Sequence, residues 1–130
     1  MLRVRSSIDL GASFLIEHLA FASWKVDYLK LDGCNADIKD FDTGYPAMGQ
    51  ALNATGYPIA YSCSWPAYQE FSTMKPNYAA IAQACNLWRN WGDIDDSWDS
   101  VYSIIRWFGD NQDRLSSHHG PGHWNDPDMV

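Results

Sequence analysis

Two carboxylates, Asp32 and Asp93, have the residue type and the placement for nucleophilic and acid–base chemistry. Asp32 ends a β-forming stretch, WKVDYLKLDGC, just before a glycine turn, and Asp93 follows a second apolar stretch and its glycine, LWRNWG. Two carboxyl groups about 5 to 5.5 Å apart can cleave a glycosidic bond, one as nucleophile and the other first as acid and then as base. The sequence therefore predicts glycosidic chemistry, provided that the fold brings these two residues together.

The charged neighbours of the two carboxylates differ in sign. Lys30 stands two residues before Asp32, so both side chains point to the same side of a strand, and a positive neighbour favours the ionised form that a nucleophile needs. Asp95 and Asp96 lie close to Asp93, and negative neighbours favour the protonated form that an acid needs. Simpler explanations exist for both patterns. The lysine could form an ion pair at an exposed strand end, and the acidic run DIDD could stabilise the first turn of a helix.

Other polar residues are candidates for the surroundings of such a site. Arg89, at the end of a predicted strand, could hydrogen-bond a sugar or pair with a neighbouring aspartate. Cys63 and Cys85 follow successive segments and could form a disulfide or remain two buried thiols. No metal is predicted, because the histidines of the tail lack further ligands at the required spacing. These histidines are His118, His119 and His123.

Strands and helices alternate along the chain, a pattern typical of parallel βα units. Strands are predicted in the stretch around 26–32, at 58–64, at 87–91 and in the tail after residue 123. Amphipathic helices are predicted at 8–23, 45–53 and 78–84, and after a cap at Ser97. In a βα barrel all strand ends open on one face, which would gather Asp32, Ser64, Asp93 and Asp128 around one cleft. We therefore expect an α/β fold that is part of a (β/α)8 barrel, with about four central βα units.

Composition narrows the class of protein. The 130 residues, 46% of them hydrophobic, suffice for one core, and the 15% aromatic residues would fill that core or line a cleft. A net charge of −7, with only nine lysines and arginines, argues against a nucleic-acid partner. The first apolar stretch is too short and polar to span a membrane, and no signal peptide is visible. The cysteines and a glycosylation sequon at Asn53 favour a secreted or lysosomal compartment.

Four longer motifs, LKLDGC, SCSWPAY, LWRNWGDIDDSW and GPGHWNDPDM, occur in this order. With this order and spacing they resemble the family of lysosomal α-galactosidases and α-N-acetylgalactosaminidases, which are retaining glycosidases. The resemblance runs from about Phe21 to Val130, and residues before about position 20 match the family poorly. It implies terminal α-galactosaminyl or α-galactosyl glycans as substrates, no cofactor, no membrane partner, and a homodimer for a full-length protein.

The resemblance also implies roles for individual residues. Asp32 would be the nucleophile and Asp93 the acid/base. Cys63 would pair with Cys85, and Cys34 with an upstream cysteine that this chain lacks. The residues implied to contact the sugar are Lys30, Tyr68, Arg89 and Asp128.

Two small residues predict the sugar that the site prefers. Family members that prefer galactose carry Glu and Leu where this chain has Ser64 and Ala67. Small side chains leave room for a 2-acetamido group, to which Ser64 can donate a hydrogen bond while Ala67 contacts its methyl group. We therefore expect the N-acetylgalactosaminidase type with residual activity on α-galactosides, and α-galactosidase proper is the alternative.

The predicted strands fall short of a complete barrel, which has eight strands and about 250 residues. By resemblance, the first three strands, the last strand and a C-terminal β-domain are absent, so residues 1–130 would form an incomplete catalytic domain. Exposed strand edges and apolar faces reduce solubility. We expect the chain alone to be unstable and inactive, and a non-catalytic fragment that keeps the pocket is the alternative to an enzyme.

Overall fold

A parallel sheet of five strands, in the order in which they occur along the chain, forms the centre of the fold. The computed structural model describes residues 2–4 and 14–128, with side chains from residue 17 onward. All four neighbouring pairs of strands are parallel, so their carboxyl ends lie along one edge. This is an α/β architecture, part of a (β/α)8 barrel. The strands are β1 (Leu2–Val4), β2 (Tyr28–Leu31), β3 (Ala60–Cys63), β4 (Leu87–Arg89) and β5 (Trp124–Asp126).

Helices follow the strands along the chain. The second of them packs against both the first and the fourth. The helices are α1 (Phe14–Ser23), α2 (Phe41–Ala54), α3 (Trp65–Glu70), α4 (Tyr78–Ala84), α5 (Trp98–Asp110) and α6 (Gln112–Ser116), with a short 3-10 helix at Ile38–Asp40. Within residues 14–128, no helix is long and apolar enough to cross a membrane.

The alternation of side chains along β2 separates the core from the polar face. Leu29 and Leu31 are fully buried in the hydrophobic core, together with residues of α2 such as Phe41 and Tyr45. Side chains two apart on a strand share a face, so the two residues next to these leucines, Lys30 and Asp32, point to the other side. The strand that builds the core therefore also presents the charges.

Close packing of α2 against α4 requires a glycine. A Cβ atom added to Gly49 would lie 2.7 Å from the backbone oxygen of Ala84, closer than real Cβ contacts allow. Next to this contact, the ring of Tyr45 on α2 stacks on Trp65 at 5.7 Å between centroids. The helices are thereby fixed against the sheet whose strand ends carry the polar residues.

The structure confirms the predicted strands in all four places, and the helix at 78–84 has the predicted bounds. The predicted cap is also confirmed, because the Ser97 side chain accepts a hydrogen bond from the backbone N–H of Ser100. One strand more than predicted is present, so the WKVDYLKLDGC strand is the second in the sheet and not the first. The early part of the predicted first helix, residues 8–13, lies outside the described residues.

One predicted helix has the wrong start, and another helix of the structure was not predicted. Helix α2 begins at Phe41 and not at Tyr45, with Pro46 inside it, because the polar stretch that includes Asp42 forms the first turn of the helix and not a loop. Helix α3 was not predicted, because Trp65-Pro66 was interpreted as the end of a strand. A proline in the first helical turn is favourable, and it marks here the start of α3.

Candidate functional site

One cavity, of about 740 Å³, opens at the carboxyl ends of the strands. This volume is within the usual range for sites that bind small molecules. The side chains that line it come from β2, from the start of α3, from the segment after β4 and from the tail. Every residue predicted from the sequence as catalytic or sugar-binding lines this cavity: Lys30, Asp32, Ser64, Ala67, Tyr68, Arg89, Asp93 and Asp128.

Asp32 lies in the cavity with one carboxylate oxygen held by two donors. Its Oδ1 accepts hydrogen bonds from the backbone N–H of Gly33 at 2.8 Å and from the Tyr68 hydroxyl at 2.7 Å. Burial, and then the hydrogen bond to Asp32, raise the pKa of Tyr68, so the phenol keeps the proton that it donates. A Cβ atom at Gly33 would lie 2.5 Å from the Phe41 ring, so the backbone can approach this closely only with glycine. Donors of this kind stabilise an ionised carboxylate.

Lys30 and Asp32 are both buried, with 4% and 7% of their surface exposed. They are therefore not an ion pair at an exposed strand end, which was the simpler explanation of their spacing. Lys30 is paired with Ser62 of β3. Asp32 and Ser64 directly follow the last pair of residues in the two strands. The strand pairing thus brings charged and hydroxyl side chains of two strands to the same cavity.

Arg89 joins two of the predicted aspartates. Its Nη1 donates to Asp128 Oδ1, and its Nη2 donates to Asp93 Oδ1 at 2.8 Å and to the backbone oxygen of Gly92. Asp128 also accepts from the backbone N–H of Ile94 at 2.7 Å. Of the two roles considered for Arg89, pairing with aspartates is observed. Asp93 is therefore in contact with a positively charged group, the guanidinium of Arg89.

The two partners of Arg89 differ in burial. The Asp128 side chain is 8% exposed, whereas that of Asp93 is 91% exposed at the mouth of the cavity. Asp128 also has a positive φ of 131°, a conformation that costs energy for any residue but glycine. Its backbone N–H donates to the Asp126 side chain at 3.0 Å, which helps to hold this conformation. The arginine therefore anchors the tail on one side and an accessible carboxylate on the other.

An amide network, which the sequence did not reveal, ties β4 to β5 beneath these charges. Asn125 Oδ1 accepts from Trp88 Nε1 at 2.8 Å and from Asn90 Nδ2 at 3.0 Å. Asn90 in turn accepts from the backbone N–H of Asp126 at 3.2 Å. Buried amides need several partners at once, so the network fixes the two strands that carry Arg89 and lead to Asp128.

Cys63 and Cys85 form a disulfide, with Cα atoms 6.1 Å apart, which confirms the pairing that the resemblance implied. It links the end of β3, where Ser64 follows, to the residue that directly follows α4. Cys34 is a free thiol that lines the cavity, with its Sγ 3.8 Å from the Tyr68 hydroxyl. Its expected upstream partner stays a prediction.

The histidines and the sequon lie away from the cavity. His118 stacks on Tyr78, and His119 accepts a hydrogen bond from the backbone N–H of Asn125 at 3.3 Å. Asn53 is exposed in the last turn of α2, and the hydroxyl of Thr55 in the sequon donates to Leu52 at 2.7 Å. These histidines therefore have packing and hydrogen-bonding roles, and Asn53 is accessible from solvent.

The apolar wall of the cavity was missed by sequence reasoning. Ile38, Phe71, Trp91 and Ile94 line it beside the predicted charged residues. Phe71 follows α3, a helix that was not predicted, so its position relative to the strand ends could not be inferred. The only available signal was the high aromatic content, which is typical of either a core or a cleft.

Charged side chains gathered at the strand ends of a parallel βα sheet are typical of barrel enzymes, which build their sites on that face. Residues 11–130 match the family model Melibiase_2, described as alpha galactosidase A, and the chain belongs to this family. The match begins at residue 11, about ten residues upstream of Phe21, and includes all four motifs.

Relatives with named activities are similar over most of this chain. It is 61% identical over 110 residues to the alpha-N-acetylgalactosaminidase of Gallus gallus, which covers 85% of this chain and 27% of that protein. It is 52% identical over 116 residues to the alpha-galactosidase A of Homo sapiens, covering 88% of this chain and 27% of that protein. The chain thus spans about a quarter of the length of these curated relatives.

Solved structures share the fold. Alpha-galactosidase I from Mortierella vinacea aligns with a TM-score of 0.68 and 28% identity, covering 89% of this chain and 33% of that chain. An alpha-galactosidase from Saccharomyces cerevisiae aligns with a TM-score of 0.70 and 23% identity, over 95% of this chain and 33% of that chain. The second likeness, at this identity, is one of fold alone.

Proposed function

We propose that this chain carries the nucleophile and the acid/base of a retaining glycosidase that removes terminal α-linked N-acetylgalactosamine, and more slowly α-linked galactose. The observation that carries the proposal is the position of Asp32 and Asp93 on one cavity at the strand ends. The similarity to the alpha-N-acetylgalactosaminidase of Gallus gallus supports the preferred sugar.

Two displacements at the anomeric carbon make up the proposed reaction. In the first, a carboxylate oxygen of Asp32 forms a bond to that carbon while the bond to the leaving oxygen breaks, and Asp93 gives this oxygen a proton. In the second, Asp93 takes a proton from water as the water oxygen attacks the same carbon, and the bond to Asp32 breaks. Configuration is retained because two inversions follow each other.

The environment of Asp32 suits a nucleophile, and the position of Asp93 suits the base of the second step. The donors on Asp32, Gly33 and Tyr68, stabilise the ionised form that attacks and that leaves again in the second step. Asp93 lies at the mouth, where both the leaving group and water can reach it. Its contact with Arg89 orients the carboxylate that accepts the proton from water.

Around the carboxylates, the remaining residues would bind the sugar. Lys30 and Asp128 are buried charged groups that can hydrogen-bond sugar hydroxyls, and Arg89 lies between the two aspartates. Ser64 and Ala67 are small and line the same cavity, which supports a pocket for the 2-acetamido group. Tyr68 contacts the sugar from the side of Asp32 in this proposal.

The same proposal extends to the whole protein. Residues 1–130 would be part of a catalytic barrel domain of a lysosomal or secreted enzyme, glycosylated at Asn53 and dimeric at full length. Apolar side chains that remain exposed support further packing partners in the whole protein. They include Trp98 and Ile105 on α5 and Trp124 on β5.

A chimaera tests the proposal without depending on the stability of the isolated chain. The matching segment of the Gallus gallus alpha-N-acetylgalactosaminidase is replaced by the sequence of this chain, to which it is 61% identical. We expect turnover of an aryl α-N-acetylgalactosaminide, and a 2-deoxy-2-fluoro or 5-fluoro glycosyl fluoride should label the peptide that contains Asp32. The matched controls are Asp32→Asn, which should abolish labelling and turnover, and Lys39→Gln, a surface change outside the cavity.

Each result separates the alternatives. A labelled peptide without Asp32, or an active Asp32→Asn chimaera, would contradict the nucleophile. An inactive but folded chimaera that still binds the sugar would favour a non-catalytic, glycan-binding fragment. Ser64→Glu with Ala67→Leu should shift the ratio of activities towards α-galactosides, and an unchanged ratio would contradict the specificity argument. Measurable turnover by the isolated 130-residue chain would refute the expectation that it is inactive alone.

A further inference from the structure

An aromatic surface lies at the mouth of the cavity, next to the proposed acid/base. The ring of Phe71 lies 4.6 Å from the ring of Trp91, with a tilt of 31°. A Cβ atom added to Gly92 would lie 3.7 Å from Phe71, so the phenylalanine ring packs over the residue that precedes Asp93. Phe71 is 62% exposed and lines the cavity together with Trp91. Covering a large apolar ring at a cavity mouth with another ring removes apolar surface from water and therefore favours binding.

The chemistry of the site fixes which part of a substrate would lie there. The acid protonates the oxygen of the leaving group, so atoms beyond that oxygen must lie on the same side of the cavity as Asp93. The polar donors that would hold the sugar lie around Asp32 instead, among them Lys30 and Tyr68. The leaving group is therefore the part of the substrate nearest to Phe71.

The geometry points to Phe71 and Trp91 as a binding subsite for the leaving group, selective for a flat ring such as an aromatic group or the apolar face of a second sugar. This inference rests on the proposed function, because it takes the side of the leaving group from the role of Asp93. It adds a residue, Phe71, and a ligand class that the roles above do not include.

Packing behind the subsite holds its surface in place. Trp91 stacks on Trp107 at 5.1 Å between centroids, and the guanidinium of Arg114 lies 5.5 Å from the centre of the Trp107 ring. Arg114 is held in turn by an ion pair with Glu70 at 2.6 Å. A platform fixed in this way loses little conformational entropy when a ring stacks on it.

Binding of two non-hydrolysable ligands to the chimaera described under the proposed function tests the subsite without any turnover. The ligands are the phenyl and the methyl 1-thio-α-N-acetylgalactosaminides, which share the sugar and differ in the leaving group. Titration calorimetry should show the phenyl compound binding roughly three- to tenfold more tightly, the range that one aromatic stacking contact provides. Phe71→Ala should remove this preference and leave the affinity for the methyl compound unchanged.

Two further variants serve as controls. Phe71→Leu keeps apolar bulk and fold but not the flat ring, and it should also lose the preference. Trp98→Ala removes an aromatic ring that is 70% exposed on α5, outside the cavity, and it should keep the preference. Near-ultraviolet circular dichroism establishes that each variant is folded.

The outcomes separate the subsite from the proposed function. If both ligands bind and Phe71→Ala or Phe71→Leu keeps the phenyl preference, the subsite is wrong while the sugar pocket stands. Equal affinity of the unmodified chimaera for the two ligands would likewise contradict the subsite and leave the sugar pocket standing. If neither ligand binds, the sugar pocket itself is absent, which overturns the proposed function and the subsite with it.

Discussion

The Tyr68 hydroxyl donates a hydrogen bond to Asp32 Oδ1 over 2.7 Å, inside the cavity and beside the Gly33 donor. A hydrogen bond to a charged group contributes about 1.5 to 3 kcal/mol, more than one between neutral partners. The phenol is also well placed to keep its proton, since burial and the carboxylate raise its pKa. Tyr68 therefore positions the proposed nucleophile as well as lining its pocket.

Replacing this donor gives a first prediction. Tyr68→Phe should lower the free energy of unfolding at pH 7 by about 1.5 to 3 kcal/mol, because a buried carboxylate loses one of its donors. The Asp32 carboxyl group should also ionise at a higher pH than in the unmodified chain, since a contact that favours its charged form is gone. Urea unfolding measures the first effect, and carbon-13 NMR titration of labelled aspartate measures the second.

The chain offers a matched control for this change. Tyr57 donates an equivalent hydrogen bond to Asp27 at 2.9 Å, but on the exposed surface. Tyr57→Phe should change stability much less, because water replaces the lost donor. Similar losses in the two variants would show that burial of the Asp32 contact does not matter.

Arg89 gives a second prediction, because its two aspartate partners differ in exposure. Asp128→Asn leaves a buried guanidinium without its buried partner and should cost about 3 to 5 kcal/mol of unfolding free energy. Asp93→Asn removes an exposed carboxylate and should cost less than about 1 kcal/mol. Urea unfolding of both variants measures the difference, and equal losses would contradict the assignment of Asp128 as the anchor of the tail.

Most of the site could be predicted from the sequence, because the strand ends of parallel βα units bring distant residues together. The spacing of Lys30 and Asp32 identified one face of a strand, and every predicted pocket residue lines the cavity. Phe71 could not be predicted, since its place depends on α3 and on contacts that span the sheet. The same is true of the Asn90 and Asn125 network, which joins residues distant in sequence.

Reduction of the disulfide gives a third prediction. Cys63 and Cys85 are 22 residues apart, and the chain-entropy estimate for a loop of this length is about 3 kcal/mol. The Cys63→Ala, Cys85→Ala variant should therefore unfold at a lower urea concentration, by a free energy of about this size, and should no longer respond to dithiothreitol. Cys34→Ser is the control: it should unfold near the native midpoint and keep its sensitivity to dithiothreitol. Loss of that sensitivity in Cys34→Ser would contradict the pairing.

Buried tyrosines make the fold sensitive to alkali, which is a fourth prediction. Burial raises the pKa of Tyr45, Tyr61 and Tyr78 above its usual value of about 10. Well below pH 10 the phenols are neutral in both the folded and the unfolded chain, so these tyrosines do not lower the stability. Above pH 10 the unfolded chain loses these protons while the folded chain keeps them, so stability falls until the folded pKa is reached.

The size of this fall can be attributed to one residue. Each such tyrosine lowers the free energy of unfolding by at most about 1.4 kcal/mol per pH unit above 10, so Tyr61→Phe should reduce the slope by up to this amount. Tyr57→Phe is the matched control: the Tyr57 pKa is also raised, by its hydrogen bond to Asp27, but the residue lies at the surface, where water screens the effect. Urea unfolding at pH 9 to 11, with phenolate absorbance at 295 nm, measures the slope. A slope that is unchanged in Tyr61→Phe would mean that this phenol ionises without unfolding the chain.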